Sequence, residues 1–348
     1  MKRTAIFLAA SLISVGAFAS AGTTGAASLK LGAGARGQGM ADAFAATASG
    51  AESLFWNPAG MASGSDRSIM LGFQPMLGNA SVSQAAASAR FGRLGLGLGF
   101  SSLKQDTLDG LDEVGNRTGS FQAQDQTLVA GASLGGPRAA AGITAKYWRS
   151  QIDGQSATAL AADLGLGFAS PLTSRMRHAI VIRHLGGAVS YVSQQDPLPT
   201  TGVFGTSYRF SAPVTAELDV AWERAQGAYG SAGLEWGVIR SSVTSLNLRS
   251  GYTNRRNAIG GLSGAAFGLG VSYRTFSFDY AWIPFGDLGD AHAFTLTWRP
   301  SVTHDPAIKQ RRHEARQRKL DQNAKGKMNS SPTGRRQLQD LAAPRKKD

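Results

Sequence analysis

Between Asp66 and Pro300 the chain repeats one pattern, in segments of about ten residues where large apolar side chains take every second position. Leu94, Leu96, Leu98 and Phe100 alternate with Gly95, Gly97 and Gly99. Leu218, Val220 and Trp222 alternate with Glu217, Asp219, Ala221 and Glu223. Phe276, Phe278, Tyr280 and Trp282 alternate with Ser277, Asp279 and Ala281, and Phe294, Leu296 and Trp298 with Thr295, Thr297 and Arg299. Successive strand side chains point to opposite faces, so each segment has one oily face and one polar or small face. The pattern predicts strands at 67–74, 81–91, 93–103, 121–134, 138–149, 157–169, 177–186, 201–211, 213–224, 229–237, 244–254, 265–273, 275–284 and 291–299.

A water-soluble β-sandwich would alternate in the same way. Three features favour a transmembrane antiparallel β-barrel of about 14 strands instead. Glycine is abundant, at 44 residues, and often falls on the small face. Trp148, Tyr191, Tyr252, Trp282 and Trp298 sit near strand ends, as interfacial girdles would. The even strand number suits closure, which lipid demands because an open sheet edge leaves backbone groups unpaired. Even parity places both termini on one side, expected to be the periplasm. Tight turns such as Gly92-Arg93, Ala212-Pro213 and Arg274-Thr275 alternate with polar loops around 105–119, 190–200 and 254–264. The first of these loops carries Asp109, Asp112 and Glu113, but without EF-hand spacing it reads as a solvated loop rather than a cation site.

The ends of the chain differ from its body. Lys2 and Arg3, an apolar run from Ala5 to Val15 and the small residues of 17–21 predict a signal peptide at 1–21. The run is shorter than the roughly 20 residues of a spanning helix. The formal charge of +13 is concentrated at the other end, where His304–Asp348 holds thirteen Lys/Arg against five Asp/Glu. Residues 20–303 carry twenty-one basic and eighteen acidic residues, a net of only +3, so no nucleic-acid partner is expected for the folded part. The composition of 301–348 predicts a disordered basic tail, with peptidoglycan or anionic lipid as its expected partner in the periplasm. There is no cysteine, and the five histidines show no HxH or HExxH spacing, so no metal site and no cofactor is expected.

Residues 22–65 read as a separate N-terminal plug. Gly32-Ala33-Gly34-Ala35-Arg36-Gly37 matches G-x-G-x-x-G formally, but the α/β context of a dinucleotide site is missing. The glycines fit tight turns and close backbone approach inside a crowded lumen. Ala41, Ala43, Phe44, Ala45, Ala46, Ala48, Ala51 and Leu54 suit one short helix over 40–53, which Asn57-Pro58 then stops. Lys146, Asp163, Arg183, Arg209, Glu217, Asp219, Glu223, Glu235, Arg249 and Asp279 are expected to face inward as ion pairs of mixed sign. Glu217/Asp219 is an ordinary lumen pair on this reading, and no catalytic residues and no enzyme are predicted.

The run Gly34-Ala35-Arg36-Gly37-Gln38-Gly39-Met40, the Ala-rich stretch and Trp56-Asn57-Pro58-Ala59-Gly60-Met61 resemble the start of the PorV/PorQ family and, more loosely, of FadL-type transporters. Asp279, Trp282, Pro284, Leu288, Gly289, Asp290 and His292 resemble that group's closing hairpin. Ala41-Asp42 and Gly50-Ala51-Glu52 depart from the pattern, and the tail is no part of it. The resemblance implies a plug or hatch helix folded into a barrel in the bacterial outer membrane, in contact with its lipid. It implies a PorV-like role in which outer loops receive exported proteins, as in type IX secretion, with exported proteins or secretion components as partners. The alternative it implies is a FadL-like transporter of hydrophobic small molecules, with a ligand pocket beside the plug near Phe44, Phe55 and Trp56.

Overall fold

The computed structural model describes residues 24–190, 195–210, 213–224 and 226–300. The proposed signal peptide, the basic tail and Tyr191 lie outside these residues. Fourteen antiparallel strands form a closed barrel. They are β1 (Arg67–Pro75), β2 (Ala80–Phe91), β3 (Leu94–Gln105), β4 (Ala123–Gly135), β5 (Ala139–Ile152), β6 (Gln155–Ala169) and β7 (Met176–Gly186), followed by β8 (Thr201–Arg209), β9 (Val214–Glu223), β10 (Gly227–Arg240), β11 (Thr244–Thr253), β12 (Ala265–Tyr273), β13 (Phe276–Pro284) and β14 (Asp290–Trp298). Each strand pairs with its chain neighbour, and β1 closes on β14 with Ile69 opposite Trp298 and Phe73 opposite Phe294. Every expected strand is present, within a few residues of its expected bounds.

The two faces separate membrane from lumen. On β9, Glu217, Asp219 and Glu223 are buried, whereas Leu218, Val220 and Trp222 are 44%, 53% and 56% exposed. The same split recurs around the barrel, with Leu71, Leu98, Leu160, Phe204 and Phe278 all exposed on the outside. A soluble sandwich would bury that oily face against a second sheet. Here it forms a continuous apolar exterior that only lipid can cover.

Connections at one barrel end are short, as at Gly92-Arg93 and Arg274-Thr275. The opposite end holds the long connections 106–122, 187–200 and 254–264. Two of these carry hairpins of their own, Leu108–Leu111 with Arg117–Phe121 and Ala188–Ser190 with Gln195–Pro197. That end also has a tight turn at Asp153-Gly154, both at positive φ, as a type I′ hairpin requires. The start of β1 and the end of β14 share the short-turn end, as parity demands. The plug, however, begins at the long-loop end, where the Gly25 N–H donates to Pro197 O at 3.1 Å. The chain termini themselves fall outside the described residues.

Two expectations need correction. Trp148 is not an interfacial girdle residue: it is 1% exposed on the lumen side, and its Nε1 donates to Ser28 Oγ at 2.9 Å. Arg209 shares the inward parity of β8 but lies at the last residue of the strand, where it is exposed.

Candidate functional site

Residues 24–65 fill the lumen, and their form is set by the wall. The single Ala-rich helix expected over 40–53 is absent. In its place are turns, with short helices at Ala35–Gln38, Gly50–Glu52, Ser53–Trp56 and Gly60–Ser63. Left-handed backbone at Ala41 (φ 52°) and Asp42 (φ 67°) breaks the helix where it would start. The backbone donors freed by this break find acceptors on β9. Phe44 N–H and Ala45 N–H both donate to Asp219 Oδ2 at 3.0 Å, and Ala46 N–H donates to Glu217 Oε1. The two carboxylates therefore replace helical carbonyls as partners for the plug. Asn57-Pro58 does stop a helix, since Ser53–Trp56 ends there with Asn57 in extended backbone.

The motif residues hold this plug together and fasten it. Arg36 makes a two-pronged contact with Glu235, at 2.9 and 3.1 Å. Glu235 also accepts from Arg249 at 2.7 Å, and Arg249 reaches Asp279 at 2.7 Å. Asn57 uses its whole amide: Nδ2 donates to Ala45 O (2.9 Å) and Leu166 O (3.3 Å), and Oδ1 accepts from Ala59 N–H (3.1 Å). Trp56 Nε1 donates to Ala33 O at 2.6 Å. Gly34 has φ 79° and lies against the Glu52 carboxylate, a backbone position that favours glycine. Gly39 sits on the backbone of Gly268, Met40 packs against Gly233 and Gly251, and Gly60 faces the Ala48 carbonyl. In the wall, a Cβ at Gly142 would lie 2.5 Å from the Pro58 carbonyl carbon. These glycines let plug and wall meet backbone to backbone.

Phe44, Phe55 and Trp56 do come together, but as packing. The Phe44 and Trp56 rings meet edge-on at 5.8 Å and are buried with Met40 and Ala48, with Phe55 half-buried beside them. The cavity next to Phe55 and Trp56 is about 30 Å3, space for a water rather than an organic ligand. Lys30, Arg183, Glu223 and Arg255 line it, with Lys30 and Arg255 each 3.0 Å from Glu223.

The open space lies higher, at the long-loop mouth. A cleft of about 890 Å3 there is lined by Ala26, Leu31, Met76, Leu103, Trp148 and Ile152. A second cleft of about 310 Å3 shares Ala27, Leu31 and Met76 with it and continues toward Gln38, Asp42 and Phe285. From the mouth to the plug the spaces fall from about 890 to 310 to 30 Å3, divided by residues 27–32, and a separate polar space of about 190 Å3 lies at the short-turn end beside Arg36, Glu235 and Arg299. Sequence reasoning missed this mouth because its lining comes from strand ends far apart in the chain. Only the apolar plug residues Ala26, Ala27 and Leu31 gave a local signal.

The closing-hairpin residues do not converge on one site. Asp279 faces the lumen beside Arg249. Trp282 stacks on Phe267 at 5.6 Å, and His292 Nδ1 lies 2.9 Å from the Tyr280 hydroxyl, both on the outer face. Leu288 and Gly289 belong to the turn, where Gly289 has φ 104°, and Asp290 opens β14 opposite Pro284. In the acidic loop, Asp112 accepts from the Asn116 side chain and from the Val114 and Asn116 N–H groups. The Asn116 bonds hold its carboxyl below the ordinary aspartate value. Asp109 pairs with Arg117. These carboxylates close a hairpin, and no metal-binding group of acids or histidines occurs among the described residues.

No protein-family profile matches the chain, and no curated protein matches it. Solved structures do. The "CymD monoaromatic hydrocarbon channel" aligns with 15% identity and a TM-score of 0.55, covering 78% of this chain and 99% of that one. The Pseudomonas putida toluene transporter TodX aligns with 11% identity and a TM-score of 0.52, covering 76% and 96%. A TodX mutant channel aligns with 12% identity and a TM-score of 0.51, covering 77% and 99%. At such identities the likeness concerns the fold alone, a closed antiparallel barrel of fourteen strands.

Proposed function

We propose that the chain is an outer-membrane channel for small hydrophobic molecules, not an enzyme, with its short-turn end toward the periplasm. The cleft of about 890 Å3 carries this reading. It is largely apolar, with Gln105, Gln124, Asp125 and Asp196 at its edge, opens at the long-loop mouth and lies within the size range of small-molecule sites. Below it the lumen is closed, so a molecule captured there advances only if the plug shifts. The likeness to the barrels of a monoaromatic hydrocarbon channel and a toluene transporter supports the same order. The finer PorV/PorQ assignment has no matching family profile behind it. Delivery of exported proteins is the second reading, favoured by one observation: the ordered hairpin of Leu108–Leu111 and Arg117–Phe121, on which a protein could dock.

The test is uptake of radiolabelled toluene by cells that lack a hydrocarbon channel of their own and express the full chain. Uptake several-fold above control is expected, and Leu103→Arg, which sets a cation in the cleft, is expected to remove the increment. No increment from the native chain, together with exported proteins captured stoichiometrically from native membranes, would reverse the two readings.

A further inference from the structure

The small net charge of the barrel conceals a separation between its two ends. At the short-turn end every one of the six hairpins carries an arginine: Arg93, Arg138, Arg175, Arg209, Arg240 and Arg274. All six are exposed, and none has a carboxylate partner among the described residues. The six connections contain no Asp or Glu. Where β14 meets β1, Arg67 continues the ring, whereas Arg299 turns to the lumen and donates to Ser277 Oγ at 3.0 Å, and Asp66 is already paired with Arg90 at 2.6 Å. At the opposite end the connections carry seven acids, Asp106, Asp109, Asp112, Glu113, Asp153, Asp196 and Asp287, against four arginines, Arg117, Arg224, Arg255 and Arg256.

A band of outward aromatics lies just inside the ring. Phe91, Phe210, Trp236, Tyr273, Phe276 and Trp298 are all exposed there. The Arg274 guanidinium sits 5.5 Å from the Tyr273 ring centroid. Aromatic side chains of this kind settle at headgroup depth, which puts the arginines level with the lipid phosphates.

We propose that this collar binds the phosphate groups of anionic phospholipids in the leaflet at the short-turn end. Its shape selects the partner. A docked protein would neutralise one arc of the barrel, whereas a leaflet meets hairpins all round it; Arg209 and Arg240 lean to the lumen face of their strands, so Arg93, Arg138, Arg175 and Arg274 carry the contact. Guanidinium groups hold phosphate oxygens through paired N–H donors, which lysine does not offer in that geometry. The chain's own tail does not supply the counter-charge, since His304–Asp348 is itself net +8.

The experiment places the full chain in mixed vesicles of phosphatidylglycerol and phosphatidylcholine, with bromine on one lipid or the other. Tryptophan quenching then reports which lipid occupies the barrel surface, with Trp236 and Trp298 near the collar. Phosphatidylglycerol should be preferred roughly threefold or more at low salt, because each arginine near the surface attracts anionic lipid. Arg93→Gln/Arg138→Gln/Arg175→Gln/Arg274→Gln should lose most of the preference, while Arg117→Gln/Arg224→Gln, at the other end, should keep it. The basic tail is present in both variants, so the difference between them belongs to the collar. On the native chain alone, the preference should also collapse near about 0.5 M salt, where screening is short-ranged. Equal quenching by the two lipids, or a preference unchanged in the four-glutamine variant, would overturn the proposal.

Discussion

Along β3–β6 the wall receives the plug mainly with glycines and apolar side chains, whereas along β9–β14 carboxylates and arginines are added to the close contacts at Gly233, Gly251 and Gly268. On the first flank Leu54 and Met61 pack with Val129, and Gly95, Gly131, Gly142 and Gly165 make room for plug atoms. On the second, Asp219 and Glu217 take three plug N–H groups, Glu235 holds Arg36, and Thr295 Oγ1 accepts from Ala35 N–H at 2.8 Å. The two kinds of contact respond differently to motion. A hydrogen bond broken in a wet lumen is replaced by water at a net cost of about 0.5–1.5 kcal/mol. A packed contact that separates leaves a void or admits water to apolar atoms, and no replacement exists for it. If the plug moves as a hatch, it should therefore let go along β9–β14 and pivot on β3–β6.

The strongest way to break this contrast is to fill the packed flank. Gly142→Val sets a side chain into the Pro58 backbone, which cannot rotate aside as a side-chain tip would. Overpacking of this kind costs about 3 kcal/mol. The barrel should still assemble and shift on heating in gels, but with its plug displaced, and ion conductance in planar bilayers should rise at least about tenfold, as a vacated lumen of this kind passes water. Native conductance would show that this flank adapts and is not the pivot.

A smaller effect is expected on the polar flank. Asp219→Asn keeps an oxygen for the Phe44 and Ala45 N–H groups but removes its charge. Charge-assisted bonds exceed neutral ones by about 1 kcal/mol, so brief channel openings should appear without permanent displacement. Single-channel recording separates the two outcomes, because openings in Gly142→Val should be long and those in Asp219→Asn short.

The contrast also explains what could be read before the fold was known. The wall follows a two-residue period that a single sequence displays in full, and the fourteen strands emerged from it with small errors at their ends. Trp148 shows how far that logic reaches: Lys146 was placed inward, and two residues on along the same strand Trp148 must face inward too. Its assignment to a girdle followed residue type where parity was decisive. The plug has no such period. Its alanines favour a helix locally, yet the partners for 44–46 lie on β9, more than 170 residues away, and no local pattern signals them. Arg36, Trp56 and Asn57 stood out as a motif, but their role as fasteners depends on Glu235, Ala33 and Leu166, which only the fold brings near.

Arg36→Gln should have the smallest effect of the three, although it removes a buried ion-pair partner. Breaking such a pair ordinarily costs about 3–5 kcal/mol because a charge is left stranded. Glu235 is not stranded here, since Arg249 Nε stays 2.7 Å from it. Arg249 also keeps Asp279, so the remaining cluster is one carboxylate in excess rather than broken. A cost near about 1 kcal/mol is expected, the scale of one charge-assisted bond exchanged for a neutral one, with opening frequency raised severalfold at most. The informative measurement is the double variant with Asp219→Asn. If β9–β14 releases as one unit, the effect of the double variant should depart from the sum of the separate effects, as it does for coupled residues. Strict additivity would mean that Asp219 and Arg36 fasten the plug independently, and the polar flank would then be a row of separate pins instead of a latch.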